Sequence, residues 1–428
     1  MTNLQEKIHH WLQENRPQAI QFLQQIVKLP STQGNELAVQ ELIALKLKQI
    51  GLEVDQWELD GHELKKQPYF FSNRETFTGS PNVVGILKGS GGGNSIVLNG
   101  HVDVVPAGDL SQWEQPPYQG LIEDGKMYGR GTTDMKGGNL ALYLVVEAIK
   151  QLNIQLMGDV ILHSVVEEES GGAGTLAAIM KGYSASAAII PEPTDMRIFP
   201  KQQGSKWFRI LVKGRSAHGG TRYHGVSAIE KSAIVVKHIE ELETIRNERL
   251  TDPLYNNIPI PVPINIGRIE GGDWPSSVAY IVKLEGRIGI FPNEKIEEAQ
   301  AELDDWLKKL ADIDPWFKDH PVTLEWYGAQ WLPGAIDETH PLMAILQTNY
   351  KTVVGTDPII EASPWGTDGG LLTQVGETPS IVFGPGTSSM AHFPNEYIEL
   401  DEIFKAAEII ALTVIDWCQL AKPGGVNE

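Results

Sequence analysis

Apolar residues recur at helical spacing from 4 to 28, where Pro30 and Ser31 stop the run, and again over 35–50, closed by Gly51. Both stretches are predicted helices. The stretch 57–80, WELDGHELKKQPYFFSNRETFTGS, has no clear period and reads as a loop-rich insertion. SIVLNG (95–100), DVILHSVV (159–166) and the start of AAIIPEPT (187–194) are short apolar runs, as expected of buried strands. Between them lie NLALYLVVEAIKQL (139–152), a helix apolar on most faces, and TLAAIMKG (175–182), a shorter one. Strands alternating with helices predict a parallel sheet covered on both sides.

The pattern changes near 205. WFRILVKG (207–214) alternates like a half-exposed strand, followed by a helix over 226–243 and two strands in PINIGRIEGG and AYIVKLEGRIGI. A strongly amphipathic helix (294–313) and the strand VTLEWYG (322–328) complete the order β-α-β-β-α-β, that of a split-βαβ unit with an antiparallel sheet. From about 329 the α/β character returns: a helix near 340–353, the strand PSIVFG (379–384) and a last helix from about 400. One domain (1–205 and 329–428) is thus predicted to be interrupted by another (206–328). There are no internal repeats or low-complexity tracts.

At 428 residues the chain is long enough for two cores. The net charge of −20 argues against a nucleic-acid partner, which needs a basic face. No apolar stretch reaches the roughly 20 residues of a membrane span, and the polar start MTNLQEKIHHWLQENRPQ has no signal core. The single cysteine, Cys418, rules out an intrachain disulfide and makes the cytoplasm the expected location.

The chemistry gathers where predicted strands end, the usual place for sites in parallel α/β sheets. LNGHVDVVPAGD (98–109) puts His101 and Asp103 there; Glu167, Glu168 and Glu169 follow DVILHSVV, and Glu192 follows AAII. Asp134 sits in the glycine-rich GRGTTDMKGG before a helix, and His392 in GPGTSSMAHFPNE after a strand. Carboxylates gathered in this way repel unless cations join them. A pair of divalent metals resolves the conflict, and nitrogen and carboxylate donors without thiolate suit zinc, cobalt or manganese.

The motifs GHVDVVP, GRGTTDMKGG, EEESGGAG, PEPT, GRSAHGG and AHFPNEYI, in this order across nearly the whole chain, resemble those of one family. It is the di-zinc metallopeptidase family of acetylornithine deacetylase, succinyl-diaminopimelate desuccinylase, carboxypeptidase G and aminoacylase-1. The resemblance implies an α/β fold: a mixed-sheet catalytic domain of three-layer, phosphorylase/hydrolase-like architecture, interrupted by an inserted α+β, ferredoxin-like lid and dimerisation domain. It also implies a homodimer formed through that domain. Residue by residue, it implies that His101 and Glu192 bind one metal, Glu169 and His392 the other, and that Asp134 bridges them. Asp103 would orient the His101 ring. Glu168 would be the general base, taking a proton from water and delivering it to the leaving amine. Where the family usually shows Asp-Glu-Glu, this chain has three glutamates. Gly171 sets the register that makes Glu167 the substitute for Asp, and a one-residue slip would exchange base and ligand.

In the inserted domain, the resemblance gives His218 the task of stabilising an oxyanion, in its own or the partner subunit. It gives Arg287, in LEGRIGIFPNE, a substrate carboxylate. GGDWPSSVA (271–279) departs from the family, with Ser276 where asparagine is frequent, so the usual contact there is open and Trp274 and Ser276 can shape the pocket differently. Thr367 and Asp368 in SPWGTDGG match a pair near the site, and Trp365 is read equally as pocket lining or packing. His163 is expected to be a core histidine and His224 local structure. The function expected is a metal-dependent amidohydrolase that removes an N-acyl group from an amino acid or similar small amine, closest to acetylornithine deacetylase in motif wording. An N-formyl-aminopyrimidine deformylase and a dipeptidase or carboxypeptidase are alternatives. A non-catalytic binding protein is disfavoured, because all five ligands and the base are present.

Overall fold

The computed structural model describes residues 3–72 and 74–421, and the described chain divides into two compact units. The first comprises Met1–Lys201, Ala335–Glu361 and Asp368–Glu428. The second runs from Gln202 to Gly334, beyond both ends of the expected 206–328, and also takes in Ala362–Thr367.

The first unit is built on a mixed sheet. Its four middle strands, Val160–Val165, Ile96–His101, Ala188–Ile190 and Ser380–Val382, run parallel in that order. Their residues are buried throughout, as the unbroken apolar runs require. Antiparallel strands flank them. Pro81–Leu87 and then Glu53–Glu58 extend one side, and Ile198–Gln202 pairs with Ser380–Val382 on the other. Helices Asn3–Val27, Gly137–Gln151, Pro341–Val354 and Leu400–Cys418 pack together, and Ala173–Met180 and Gly369–Gln374 form another pair. Helix Gly137–Gln151 is buried on nearly every face because it is wedged between the sheet and helix Leu400–Cys418.

Strands Glu53–Glu58 and Pro81–Leu87 fall at the margins of the segment expected to be a loop. Between them, among the described residues, only a short helix, Gly61–Leu64, breaks the irregular chain. A small three-stranded sheet of Leu121–Glu123, Lys126–Tyr128 and Tyr397–Glu399 was also outside the sequence reading.

The second unit is the expected split-βαβ arrangement. Its antiparallel sheet has the order Ile264–Gly271, Ile281–Ile290, Gly204–Lys213, Thr323–Trp331. Phe208, Ile210 and Val212 are buried in alternation with half-buried Trp207, Arg209 and Leu211, and join Leu284 and Ile288 against helices Ala228–Glu248 and Ile296–Lys308. No helix among the described residues is long and apolar enough to cross a membrane.

Candidate metal centre

The parallel strands deliver their chemistry at one edge. His101 is the last residue of its strand, Glu168 and Glu169 form a tight turn after Val160–Val165, and Glu192 follows Ala188–Ile190. Asp134 lies in the turn Thr132–Lys136 before helix Gly137–Gln151, and His392 lies in the loop between Ser380–Val382 and Tyr397–Glu399. His101 has a glycine before it for a packing reason. A Cβ at Gly100 would stand 2.0 Å from Oδ1 of Asn139, whose amide donates to the His101 carbonyl.

These side chains converge. His101 Nε2 lies 3.2 Å from Asp134 Oδ1 and 3.6 Å from Glu192 Oε1. His392 Nε2 lies 3.3 Å from Asp134 Oδ2 and 3.1 Å from Glu169 Oε1. Asp134 thus faces both histidines, one through each carboxylate oxygen. Ligand atoms of His101, Asp134 and Glu169 lie within 4.8 Å of one another, as do those of His101, Glu168 and Glu192. The Nδ1 of His101 is 2.9 Å from the main-chain carbonyl of Asp103 and 3.5 Å from its carboxylate. That carboxylate accepts the backbone N–H groups of Glu168 (3.2 Å) and Glu169 (3.0 Å).

The charges are in conflict without cations. Burial, reinforced by neighbouring carboxylates, pushes Glu168 and Glu192 well above the usual carboxylate range and raises Glu169 as well. Burial opposes the charge on His101, yet Glu192, Asp103 and Asp134 outweigh it and hold the ring's pKa well up. Burial works against Asp134 too, but hydrogen bonds from the two histidines leave it below its ordinary range. For His392, Asp134 and Glu169 overcome burial and lift it to about 11. Positive charge on the imidazoles and negative charge on the carboxylates are thus coupled in one buried cluster, a balance that a divalent ion would replace. The donor set, two imidazoles and carboxylates with no thiolate, fits a pair of hard or borderline divalent ions.

Asp368 sits beside this cluster at the start of helix Gly369–Gln374. Its Oδ2 accepts the Thr175 hydroxyl at 2.6 Å, its Oδ1 is buried without a hydrogen-bond partner among the described residues, and burial pushes it up to about 6. The other predicted residues belong to the second unit. His218 is exposed and Nδ1 accepts the Gly220 N–H at 3.1 Å, which leaves Nε2 as the nitrogen able to donate. Ser276 is exposed, and its carbonyl accepts the Gly219 N–H at 2.6 Å, so the His218 and Ser276 loops are joined. Thr367 is buried and donates to Gln202 Oε1 at 2.5 Å. Arg287, on the central strand Ile281–Ile290, has Nε and Nη2 buried without hydrogen-bond partners among the described residues, and burial lowers it to about 10.

Sequence reasoning passed over Glu396 and Arg130. The Glu396 carboxylate accepts the N–H groups of Gly131 (3.0 Å), Thr133 (2.9 Å) and Asp134 (3.2 Å), and Arg130 Nη1 at 2.7 Å. Arg130 Nη2 also donates to the His392 carbonyl at 3.2 Å. Burial pushes Glu396 up to about 7 against the pull of Arg130. This pair ties the Asp134 turn to the His392 loop. Its signals were within quoted motifs, the Arg of GRGTTD and the Glu of AHFPNE, but nothing in their spacing joins them.

A buried carboxylate–imidazole cage at the ends of parallel strands is the site of a metal-dependent amidohydrolase, an enzyme that cleaves amide bonds. Residues 97–416 match Peptidase family M20/M25/M40, and the chain belongs to that family. It is 30% identical over 446 residues to the N-formyl-4-amino-5-aminomethyl-2-methylpyrimidine deformylase of Bacillus subtilis, covering 98% of both chains. It is 31% identical over 442 residues to the protein of the same name from Halalkalibacterium halodurans, again over 98% of both. Its fold is similar to that of the dipeptidase Dug1p of Saccharomyces cerevisiae, with a TM-score of 0.77 and 16% identity over 98% of this chain and 99% of that one.

Proposed function

We propose that the chain hydrolyses the formamide of an N-formyl aminomethylpyrimidine, releasing formate and the free amine. The near-full-length similarity to two deformylases of that substrate carries the reading, in preference to the N-acetyl amino acid suggested by motif wording. The GGDWPSSVA departure, at the loop joined to His218, is consistent with a substrate other than an N-acyl amino acid.

His101, Asp134, Glu169, Glu192 and His392 would together hold two divalent ions, zinc first among them. When bound, such ions polarise the amide carbonyl and make water acidic enough to act near neutral pH. Glu168 takes the proton from the attacking water as the bond to the formyl carbon forms. It then passes that proton to the amine nitrogen as the C–N bond breaks. The Asp103 carboxylate holds the backbone of Glu168 and Glu169 in place for this. His218, with Nε2 free to donate, and Arg287, with an unpaired donor edge, are the second unit's candidates for the acyl oxygen and the distal end of the substrate.

The second unit is also the proposed dimer contact. Its edge strand Ile264–Gly271 is exposed along most of its length and carries Ile269, 60% exposed. Sedimentation at micromolar concentration should show a dimer; monomer alone would remove this element. The single thiol of Cys418 supports the cytoplasm as the compartment.

The deciding experiment is a hydrolysis panel with zinc- and cobalt-loaded protein: the N-formyl aminomethylpyrimidine, N-acetylornithine, N-succinyl-diaminopimelate and dipeptides. The formamide should be turned over with the highest kcat/KM. A dipeptide or N-acetyl amino acid preferred over it overturns the deformylase reading while leaving the amidohydrolase class intact.

A further inference from the structure

The irregular segment between strands Glu53–Glu58 and Pro81–Leu87 reaches back to the catalytic turn. Arg74 Nη1 lies 2.7 Å from Glu167 Oε1, and Ser72 Oγ donates to Glu167 Oε2 at 2.7 Å. Gln33 Nε2 and Ser170 Oγ complete the shell of that carboxylate, at 3.1 and 2.9 Å. Arg74 also stands 3.6 Å from Glu36 and donates through Nη2 to Ser80 Oγ, which in turn donates to Glu36 at 2.6 Å. The side chains of Glu36 and Glu167 are both 0% exposed, and Arg74 is the guanidinium that meets both.

Glu167 is where the sequence departs from the family's aspartate. Its φ of +66° lies in the left-handed region that a glutamate enters only when its surroundings compel it. The next two residues are Glu168 and Glu169, whose N–H groups are held by Asp103. The turn is therefore gripped from two sides: Asp103 on the side of His101, and the Arg74–Glu167 pair behind. A buried carboxylate that loses its cation loses the partner that offsets its desolvation, and the turn it anchors then keeps its full hold only on the Asp103 side.

We propose that Arg74 is a positioning residue, which acts through Glu167 to aim Glu168 and Glu169 into the cage and makes the 57–80 segment an integral part of the active site. The inference rests on the reading of Glu169 as a metal ligand and Glu168 as the base. Outer partners of metal ligands are worth about 10–100-fold in affinity or activity.

The test is calorimetric zinc titration of the metal-stripped full chain, with kcat and KM on the best substrate, for wild type, Arg74→Met and the milder Ser72→Ala. Arg74→Met should weaken one of the two zinc sites about 10–100-fold. The other site should stay near wild type, kcat should fall and KM should hold. Ser72→Ala should shift the same site in the same direction by less, and serves alone if Arg74→Met does not fold. Wild-type zinc constants and kcat in the folded variants overturn the inference. So does equal weakening of both sites in step with a lower melting temperature, since that is general destabilisation. If wild type itself binds no pair of ions, the reading of the site fails, and the inference with it.

Discussion

The carboxylate of Asp103 accepts the backbone N–H of Glu169 at 3.0 Å, while the Asp103 main-chain carbonyl, at 2.9 Å, is the closer partner of the His101 ring. The residue thus orients a histidine with its backbone and a glutamate turn with its side chain. Asp103→Asn replaces one acceptor oxygen with a donor that faces an N–H group. We expect kcat to fall about 10–100-fold with both ions still bound at saturation. Steady-state kinetics with metal analysis checks this, and unchanged kcat would show that the turn holds without the carboxylate.

Glu168→Gln keeps the volume of the proposed base and removes its ability to take a proton. The variant should bind two ions and lose about 10²–10⁴-fold in kcat. Turnover near the wild-type rate would exclude Glu168 as the base. If Glu169→Gln instead kept its metals and lost only turnover, the two glutamates would have to exchange roles.

Removing the ions should destabilise the first unit. Asp134, Glu168, Glu169 and Glu192 crowd around two histidines, and burial, reinforced by neighbouring carboxylates, raises the cost of ionising the three glutamates. A chelator should lower the melting temperature, and zinc should restore it in a concentration-dependent way, because ligands that bind only the folded state stabilise by mass action. A melting temperature indifferent to chelator and zinc would count against a cage built for cations.

His163 lies in the buried strand Val160–Val165, with Nδ1 3.4 Å from the Asn99 amide, and burial lowers its pKa to about 4. A histidine kept neutral in the fold contributes stability in full above its unfolded pKa of about 6.5. That contribution is lost as pH falls toward about 4, because the unfolded chain takes the proton first. The advantage of wild type over His163→Gln should shrink by roughly 3 kcal/mol across that window, read from urea midpoints at several pH values. Curves that stay parallel from pH 7 to 4 would refute it.

Much of the cage was legible because two local signals coincide in it. An apolar run marks the end of a buried strand, and His101, Glu169 and Glu192 stand directly beyond such runs. The partners that hold the cage were not legible. Arg130 and Glu396 meet across 266 residues and Arg74 and Glu167 across 93, and no periodicity records such a meeting. Arg74 was further hidden in a stretch with no period, where the hydrogen bonds of individual side chains set the course of the chain. Glu53–Glu58 escaped for a different reason: an edge strand of largely polar residues, none fully buried, lacks a strand's usual mark.

The tie between Arg130 and Glu396 also bears on the order in which the molecule comes into being. His392 stands 223 residues beyond Glu169, its partner in the cage. A nascent chain that ends before that loop carries His101, Asp134, Glu169 and Glu192 but can close neither the histidine pair nor the clasp around Asp134. Closing the cage then belongs to the last stage of synthesis, because a chain truncated ahead of residue 392 lacks both that loop and helix Leu400–Cys418, which packs on helix Gly137–Gln151.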